Sequence, residues 1–249
     1  MISLKHIVKV FHPGEINEVI ALADVSLDFN KGEFVVLVGA NGSGKTTLLN
    51  IIEGAEFPTS GTVEINGTEV TALPEYKRSQ WIARVFQNPH HGTAPELSIL
   101  DNFRLAALRT QRKTLHIGTT VAFKKEVRQK IATLGMGLER KLSQPMGNLS
   151  GGQRQALTLL MSVMDKTDIL LLDEPTAALD PKSALVVLKL AEQLNKELGI
   201  TTILITHNLK DANLYGSRLI QFQEGKIIRD ISGEEKTKLM LQDIYGWFG

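Results

Sequence analysis

The first residues, Met1-Ile-Ser-Leu-Lys-His-Ile-Val-Lys-Val10, alternate polar and apolar side chains, the period of a strand with one wet face. Val25, Leu27 and Phe29 repeat that alternation, so the chain is expected to open with antiparallel strands. Phe34-Val-Val-Leu-Val38 breaks the pattern: it is apolar throughout, as in a strand buried on both faces. Glycines follow at once, and Thr46-Thr-Leu-Leu-Asn-Ile-Ile52 then has the spacing of a helix. Thr62-Val-Glu-Ile65, the turn Asn66-Gly67 and Thr68-Glu-Val70 read as a hairpin. Ile82-Ala-Arg-Val-Phe86 reads as a further strand.

From about residue 88 to 148 the charge rises and helical spacing dominates. Phe123, Val127, Ile131 and Leu134 line one face of an amphipathic helix. Arg112, Lys113, Lys124, Lys125 and Arg128 are expected on solvated faces of this segment. The α/β pattern then resumes. Ile169-Leu-Leu-Leu172 is a buried strand ending in Asp173, and Asp180-Pro181 is an N-cap followed by proline at the first helical position. That helix carries Leu185, Leu188, Ala191 and Leu194 and stops at Gly199. Thr201-Thr-Ile-Leu-Ile205 is another buried strand, and Leu219-Ile-Gln-Phe222 and Lys226-Ile-Ile228 form a hairpin around Glu224-Gly225. Strands alternating with helices predict an α/β fold with a largely parallel sheet covered on both faces. The expected division is a core of residues 1–87 and 149–249, with residues 88–148 as a helical insertion.

Composition narrows the function. The 249 residues carry a net charge of +1, unlike the basic excess of a nucleic-acid binder. Without cysteine there is no disulfide, thiolate metal site or cysteine nucleophile. No apolar run approaches the roughly 18 residues of a membrane span, and the start has no continuous apolar stretch of a signal peptide. A cytoplasmic chain is expected, serving any membrane by docking to another protein. The tail Tyr245-Gly-Trp-Phe248 is expected to pack on the core.

Gly39-Ala-Asn-Gly-Ser-Gly-Lys45-Thr46 fits the phosphate-binding pattern G-x-x-x-x-G-K-[ST] at every position. Its glycines let backbone N–H groups curl around a phosphate chain, and the helix that follows presents its positive end to the same anion. Lys45 is expected to reach the β- and γ-phosphates and Thr46 to ligate Mg²⁺. Asp173, at the carboxyl end of a buried strand, is suited to hold the same ion, and Glu174 to orient or deprotonate water. An acidic pair after an apolar strand is otherwise a helix cap or surface turn. In Leu149-Ser150-Gly-Gly-Gln153, Ser150 caps a helix from about Gln153 to Met164, and two glycines bare its first N–H groups as a second anion site. The plain alternative is a serine N-cap.

These motifs, in this order and together with His207, resemble the nucleotide-binding subunit of ABC transporters over nearly the whole chain. The resemblance implies a P-loop NTPase (RecA-like) core with an antiparallel β subdomain and an inserted α-helical subdomain. It implies ATP and Mg²⁺ held by Gly39, Asn41, Gly42, Ser43, Gly44, Lys45, Thr46 and Thr47. It makes Gln87 the Q-loop glutamine near the metal and His207 the switch histidine at the γ-phosphate. Residues 177–180 resemble the D-loop, placing Asp180 at an interface between two copies paired head to tail. In that pairing Ser150, Gly151, Gly152 and Gln153 of one copy close over ATP held by the other. The family's adenine-stacking aromatic, usually tyrosine, corresponds to Phe11 here; a core phenylalanine is the other reading of that residue.

Residues 151–160, 176–182, 206–208 and 233–236 resemble the ATPases of bacterial tryptophan/tyrosine-type uptake systems. That group works with an integral-membrane permease and an extracytoplasmic solute-binding protein, so an importer of amino acids or a similar small solute is expected at the inner face of the membrane. Export of lipid, lipoprotein or peptide is the alternative, followed by a soluble iron–sulfur-assembly ATPase. A kinase would share the phosphate loop but has no use for Ser-Gly-Gly-Gln.

Overall fold

The computed structural model describes residues 1–88, 90–110 and 118–248, so the expectation for Arg112 and Lys113 lies outside the described residues. Two sheets carry the architecture. The first is antiparallel, with order β2-β1-β4-β5, built from β1 (Ile2–Phe11), β2 (Val19–Phe29), β4 (Ser60–Ile65) and β5 (Thr68–Glu69). The second has order β10-β9-β3-β8-β7-β6, built from β3 (Phe34–Val38), β6 (Ile82–Val85), β7 (Ile169–Asp173), β8 (Thr201–Ile205), β9 (Arg218–Gln223) and β10 (Lys226–Ser232). Every pair in it is parallel except β9 with β10, which form the expected hairpin.

The continuous apolar runs do what the sequence pattern implies. Every residue of β3, β7 and β8 is buried. Alternate side chains feed two cores: Val36, Val38, Leu170, Leu172 and Leu204 join one, and Val35, Leu37, Leu171, Ile203 and Ile205 the other. The second core also takes the inward face of the antiparallel sheet and α1 (Lys45–Glu53). The alternation of β1 is less regular than its sequence suggests. Ile2, Leu4 and Ile7 are the buried residues, because the register shifts between Leu4 and Ile7 where His6 takes a left-handed φ of 53°.

The remaining helices are α2 (Glu75–Arg78), α3 (Ile99–Ala106), α4 (Val121–Ala132), α5 (Gly151–Ser162), α6 (Pro181–Leu198), α7 (Leu209–Leu214), α8 (Gly233–Lys238) and α9 (Leu241–Tyr245). In α4 Val127 and Ile131 are buried and Phe123 packs beside them, while Lys124, Lys125 and Arg128 are exposed. In α6 Leu188, Ala191 and Leu194 face the core with Val187 and Leu190, but Leu185 is 47% exposed. The first turn of that helix contacts α5 through Ser183 and does not reach the apolar layer. Of the C-terminal aromatics, Trp247 packs on the core beneath the Arg229 guanidinium, 5.1 Å from its ring, whereas Tyr245 and Phe248 stay largely exposed. Among the described residues no helix is long and apolar enough to cross a membrane.

One buried cation fixes the far end of α1. Arg78 is fully buried and meets no carboxylate among its hydrogen-bond partners. It donates to the carbonyls of Leu73 (2.7 Å), Ile51 (2.6 Å), Ile52 (2.9 Å) and Thr71 (3.1 Å). Two of these belong to the last turn of α1, where the helix dipole is negative. Burial pulls the guanidinium down to about 10, which leaves it charged at neutral pH. Arg78→Met would strand these carbonyls, so a loss of about 3 kcal/mol in urea unfolding is expected. An unchanged midpoint would mean that the carbonyls find other partners.

Candidate functional site

The phosphate loop leaves β3 and enters α1. Two of its glycines are required by packing. A Cβ on Gly39, at φ 154°, would lie 2.3 Å from the Phe222 carbonyl oxygen. One on Gly44, at φ 101°, would lie 2.4 Å from that of Ala21. Asn41 and Gly42 are exposed at the tip, Ser43 is buried, and Thr47 is half-buried on α1. The helix begins without a side-chain cap and without an acidic residue in its first turn, which leaves its positive end for an anion. Lys45 turns back into the loop, and its ammonium donates to the carbonyls of Gly39 and Ala40 (2.8 Å each) and to Ser43 Oγ (3.2 Å). Burial pulls this ammonium below its usual value, against the attraction of Glu174 and Asp173.

Asp173, the last residue of β7, has its two carboxylate oxygens divided between neighbours. Oδ1 accepts from the Thr46 hydroxyl (3.3 Å) and Oδ2 from Arg84 Nη2 (2.6 Å). Glu174 follows with a left-handed φ of 49°, a costly conformation for a residue with a Cβ. Its N–H donates to the Ile205 carbonyl (3.1 Å), and its Oε1 lies 2.7 Å from His207 Nε2, at the end of β8. Gln87 is exposed just beyond β6, in a cleft of about 420 Å³ that it shares with Asp173, Phe86, Asn88, His91 and Ala178. The fold thus gathers Lys45, Thr46, Asp173, Glu174, His207 and Gln87 at the carboxyl ends of adjacent parallel strands, where open α/β sheets bind ligands. The hydroxyl of Thr46 and the carboxylate of Asp173 are the hard oxygen donors that suit Mg²⁺. Among the described residues no three acidic or histidine side chains cluster as a metal cage, so an ion here would take most of its shell from phosphate and water.

Arg84 was not singled out by the sequence motifs, although a charge inside the apolar run of residues 82–86 is a signal. Its side chain is 6% exposed, and besides Asp173 it donates through Nη1 to Asn50 Oδ1 (2.7 Å) and Glu53 Oε2 (2.6 Å). Burial raises the Glu53 carboxyl, and Arg84 works against that rise.

The second anion-site motif starts its helix earlier than expected, at Gly151 and not near Gln153. Ser150 Oγ accepts from the Gln153 N–H (3.3 Å), and Gln153 Oε1 accepts from the Ser150 N–H (3.2 Å), a reciprocal capping box. Gly151 is exposed. Gly152 is buried for a reason internal to the chain: a Cβ there would lie 2.2 Å from Ser183 Oγ on α6. Ser183 is itself held by Asp180, which caps α6 by accepting from the N–H groups of Lys182 (3.1 Å) and Ser183 (3.0 Å). Among the described residues no hydrogen bond joins the Ser150 cap to the phosphate loop of the same chain. Phe11, half-buried at the end of β1, lies under the Lys9 ammonium, 4.7 Å from its ring centre.

A glycine loop between a parallel strand and a helix, with a carboxylate at the end of the next parallel strand but one bonded to the loop's threonine, defines a P-loop nucleotide-binding fold. The family profile described as "ABC transporter" matches residues 22–177. A "Tyrosine transport ATP-binding protein" of Clostridioides difficile (strain R20291) is 40% identical, covering 98% of this chain and 97% of the relative. A "Phosphonates import ATP-binding protein" of Rhizobium meliloti (strain 1021) is 30% identical, covering 99% of this chain and 87% of the relative. Among solved structures, a dimeric ATP-binding cassette in a post-hydrolysis state, bound to ADP and Pi, superposes with a TM-score of 0.80. It is 31% identical, covering 93% of this chain and 98% of that one. The chain belongs to the ABC transporter family, and it is an ATP-binding subunit that hydrolyses ATP.

The Gly152–Ser183 contact gives a test of the α5–α6 joint. Gly152→Ala should cost about 1–3 kcal/mol by overpacking, although alanine is the better helix former. Adding S183G should recover most of the loss in a denaturant melt. A stable single variant would show that α5 and α6 can part at no cost.

Proposed function

We propose that two copies of this chain close head to tail over two ATP molecules and that hydrolysis then drives a bacterial importer of amino acids or a similar small solute. The observation that carries the catalytic part is the Glu174–His207 pair, 2.7 Å apart beside Asp173 and the Lys45 loop. In this reading the loop N–H groups and Lys45 take the β- and γ-phosphates, with Lys45 exchanging its loop carbonyls for phosphate oxygens. Thr46 and Asp173 would hold Mg²⁺, with Gln87 alongside, and the ion when bound neutralises phosphate charge. Glu174 orients the attacking water and accepts its proton. His207 steadies Glu174 and bonds the γ-phosphate, while Lys45 offsets the charge of the transferring group.

Ser150, Gly151, Gly152 and Gln153 serve the nucleotide of the other copy, with Asp180 at the same interface. Phe11 stacks on adenine. The dimeric relative bound to ADP and Pi supports the pairing. Loss of the γ-phosphate contacts reopens the pair and moves an integral-membrane permease between two states.

A groove of about 600 Å³ supports a docking site for that permease. Glu75, Ala83, Phe86, Leu105, Arg109 and Met161 line it, between the sheet edge and the helical segment of residues 88–148. In this reading the chain works at the inner face of the cell membrane, and an extracytoplasmic solute-binding protein delivers the solute. The 40% identity to a protein named for tyrosine transport supports an amino-acid cargo.

Glu174→Gln should bind ATP, accumulate as a dimer on size exclusion and lose turnover by at least about a hundredfold. Undiminished turnover would rule out the assigned role of Glu174.

A further inference from the structure

Arg84 is placed to do more than tie strands together. Its strand already pairs with β7 through the parallel ladder, Arg84 opposite Leu171, so the sheet does not need the side chain to hold its register. A buried ion pair is in any case weak evidence for a purely stabilising role, because desolvation of the charges offsets their attraction. What the guanidinium does is join three elements at one point. It reaches Asn50 and Glu53 on the phosphate-loop helix and Asp173 at the end of β7, with bonds of 2.6 to 2.7 Å.

The division of the Asp173 carboxylate follows. One amino group of the planar guanidinium is anchored by Asn50 and Glu53, so the other meets Asp173 through a single bond of fixed direction, which a point charge on a flexible stem would not supply. Arg84 occupies Oδ2, so Oδ1 is the oxygen turned to the Thr46 hydroxyl. Those two oxygens are the ones proposed above to hold the divalent cation. Charge matters as well. A lone arginine on Asp173 would cancel much of its pull on a cation. Glu53 shares the guanidinium, so the trio of Asp173, Glu53 and Arg84 keeps the net single negative charge of one carboxylate.

We propose that Arg84 is a positioning residue for the divalent cation of the nucleotide site, orienting Asp173 through Oδ2 while Glu53 preserves the local negative charge. This rests on the reading that Thr46 and Asp173 hold the ion. Second-layer partners of this kind contribute about 10- to 100-fold to metal affinity.

The test is a Mn²⁺ titration of the purified chain loaded with ADP, read by electron paramagnetic resonance, beside ADP affinity in EDTA and a thermal melt. R84M leaves Asp173 and Glu53 both unpaired, so a merely electrostatic role for Arg84 predicts tighter Mn²⁺ binding, whereas the positioning role predicts a half-saturation raised about tenfold with metal-free ADP affinity unchanged. E53Q keeps an acceptor for Arg84 and should weaken Mn²⁺ binding in the same direction, which keeps the proposal testable if R84M fails to fold. D173N is the control. If D173N loses Mn²⁺ affinity while R84M, or E53Q where R84M does not fold, keeps it, the positioning role is overturned and the ligand assignment survives. If D173N itself binds Mn²⁺ as before, the ligand assignment fails and the proposal with it.

Discussion

The central strands of the parallel sheet have no face open to water, and this constraint decides where polar chemistry can sit. Every side chain of β3, β7 and β8 is buried, and all lie in one of two apolar cores except at strand ends: β7 ends in Asp173, and β8 begins with Thr201 and Thr202. A charge anywhere inside those runs would need a partner within the core. Polar groups therefore collect where the strands end, and adjacent parallel strands end side by side. Lys45, the adjacent pair Asp173 and Glu174, and His207 lie far apart in sequence, yet they meet for that reason. The exception, Arg84 within β6, brings partners with it: Asn50, Glu53 and Asp173 take its two amino groups at the sheet edge, and its buried Nε is left without one among the described residues.

Within that cluster the electrostatics are held in tension. Lys45 is drawn down by burial and up by two carboxylates, and its ammonium is satisfied by the loop's own carbonyl groups. An arriving phosphate competes with neutral acceptors and not with a salt bridge, so the exchange costs less than breaking an ion pair would. Glu174 is held differently. Its left-handed backbone and the Glu174 N–H bond to Ile205 turn its side chain toward His207 and away from the Arg84 cluster that holds Asp173. Two adjacent carboxylates thus face different partners, which separates a group suited to a metal from a group suited to water.

Much of this was readable in the chain because the signals are local. Continuous apolar runs announced β3, β7 and β8, and glycines that a Cβ would displace announced the loop. Asp180 and Ser150 announced helix starts because caps are chosen by the adjacent N–H groups. What depends on distant contacts was not readable. The bulge at His6 is set by pairing with two other strands, and the exposure of Leu185 by how far α6 extends past the core. Arg84 could be flagged as a charge in an apolar run, but its partners on α1 and β7 appear only when the chain is folded. Gly152 is the subtler case. Paired glycines signal close approach, and for this one the approaching atom is Ser183 of the same chain.

That last contact bears on how the halves of the site communicate. From Asp173 the chain runs through Glu174 to Asp180, whose carboxylate caps α6 and holds Ser183 against Gly152. Glu174 and the Ser150 cap are therefore linked by a short route: the segment 174–180, one capped helix start, and one close glycine contact. In the paired arrangement proposed here, Ser150 serves the nucleotide of one site while Glu174 serves the other. In that arrangement a tight Gly152–Ser183 joint would make the ends of α5 and α6 shift together and would carry closure over one nucleotide to the acid of the second. A looser joint, with room for a side chain at residue 152, would let Ser150 close without moving the segment that carries Glu174. The two glycines thus divide the work: Gly151 leaves the helix start bare on the exposed side, and Gly152, by lacking a Cβ, seats that helix against Ser183 of α6.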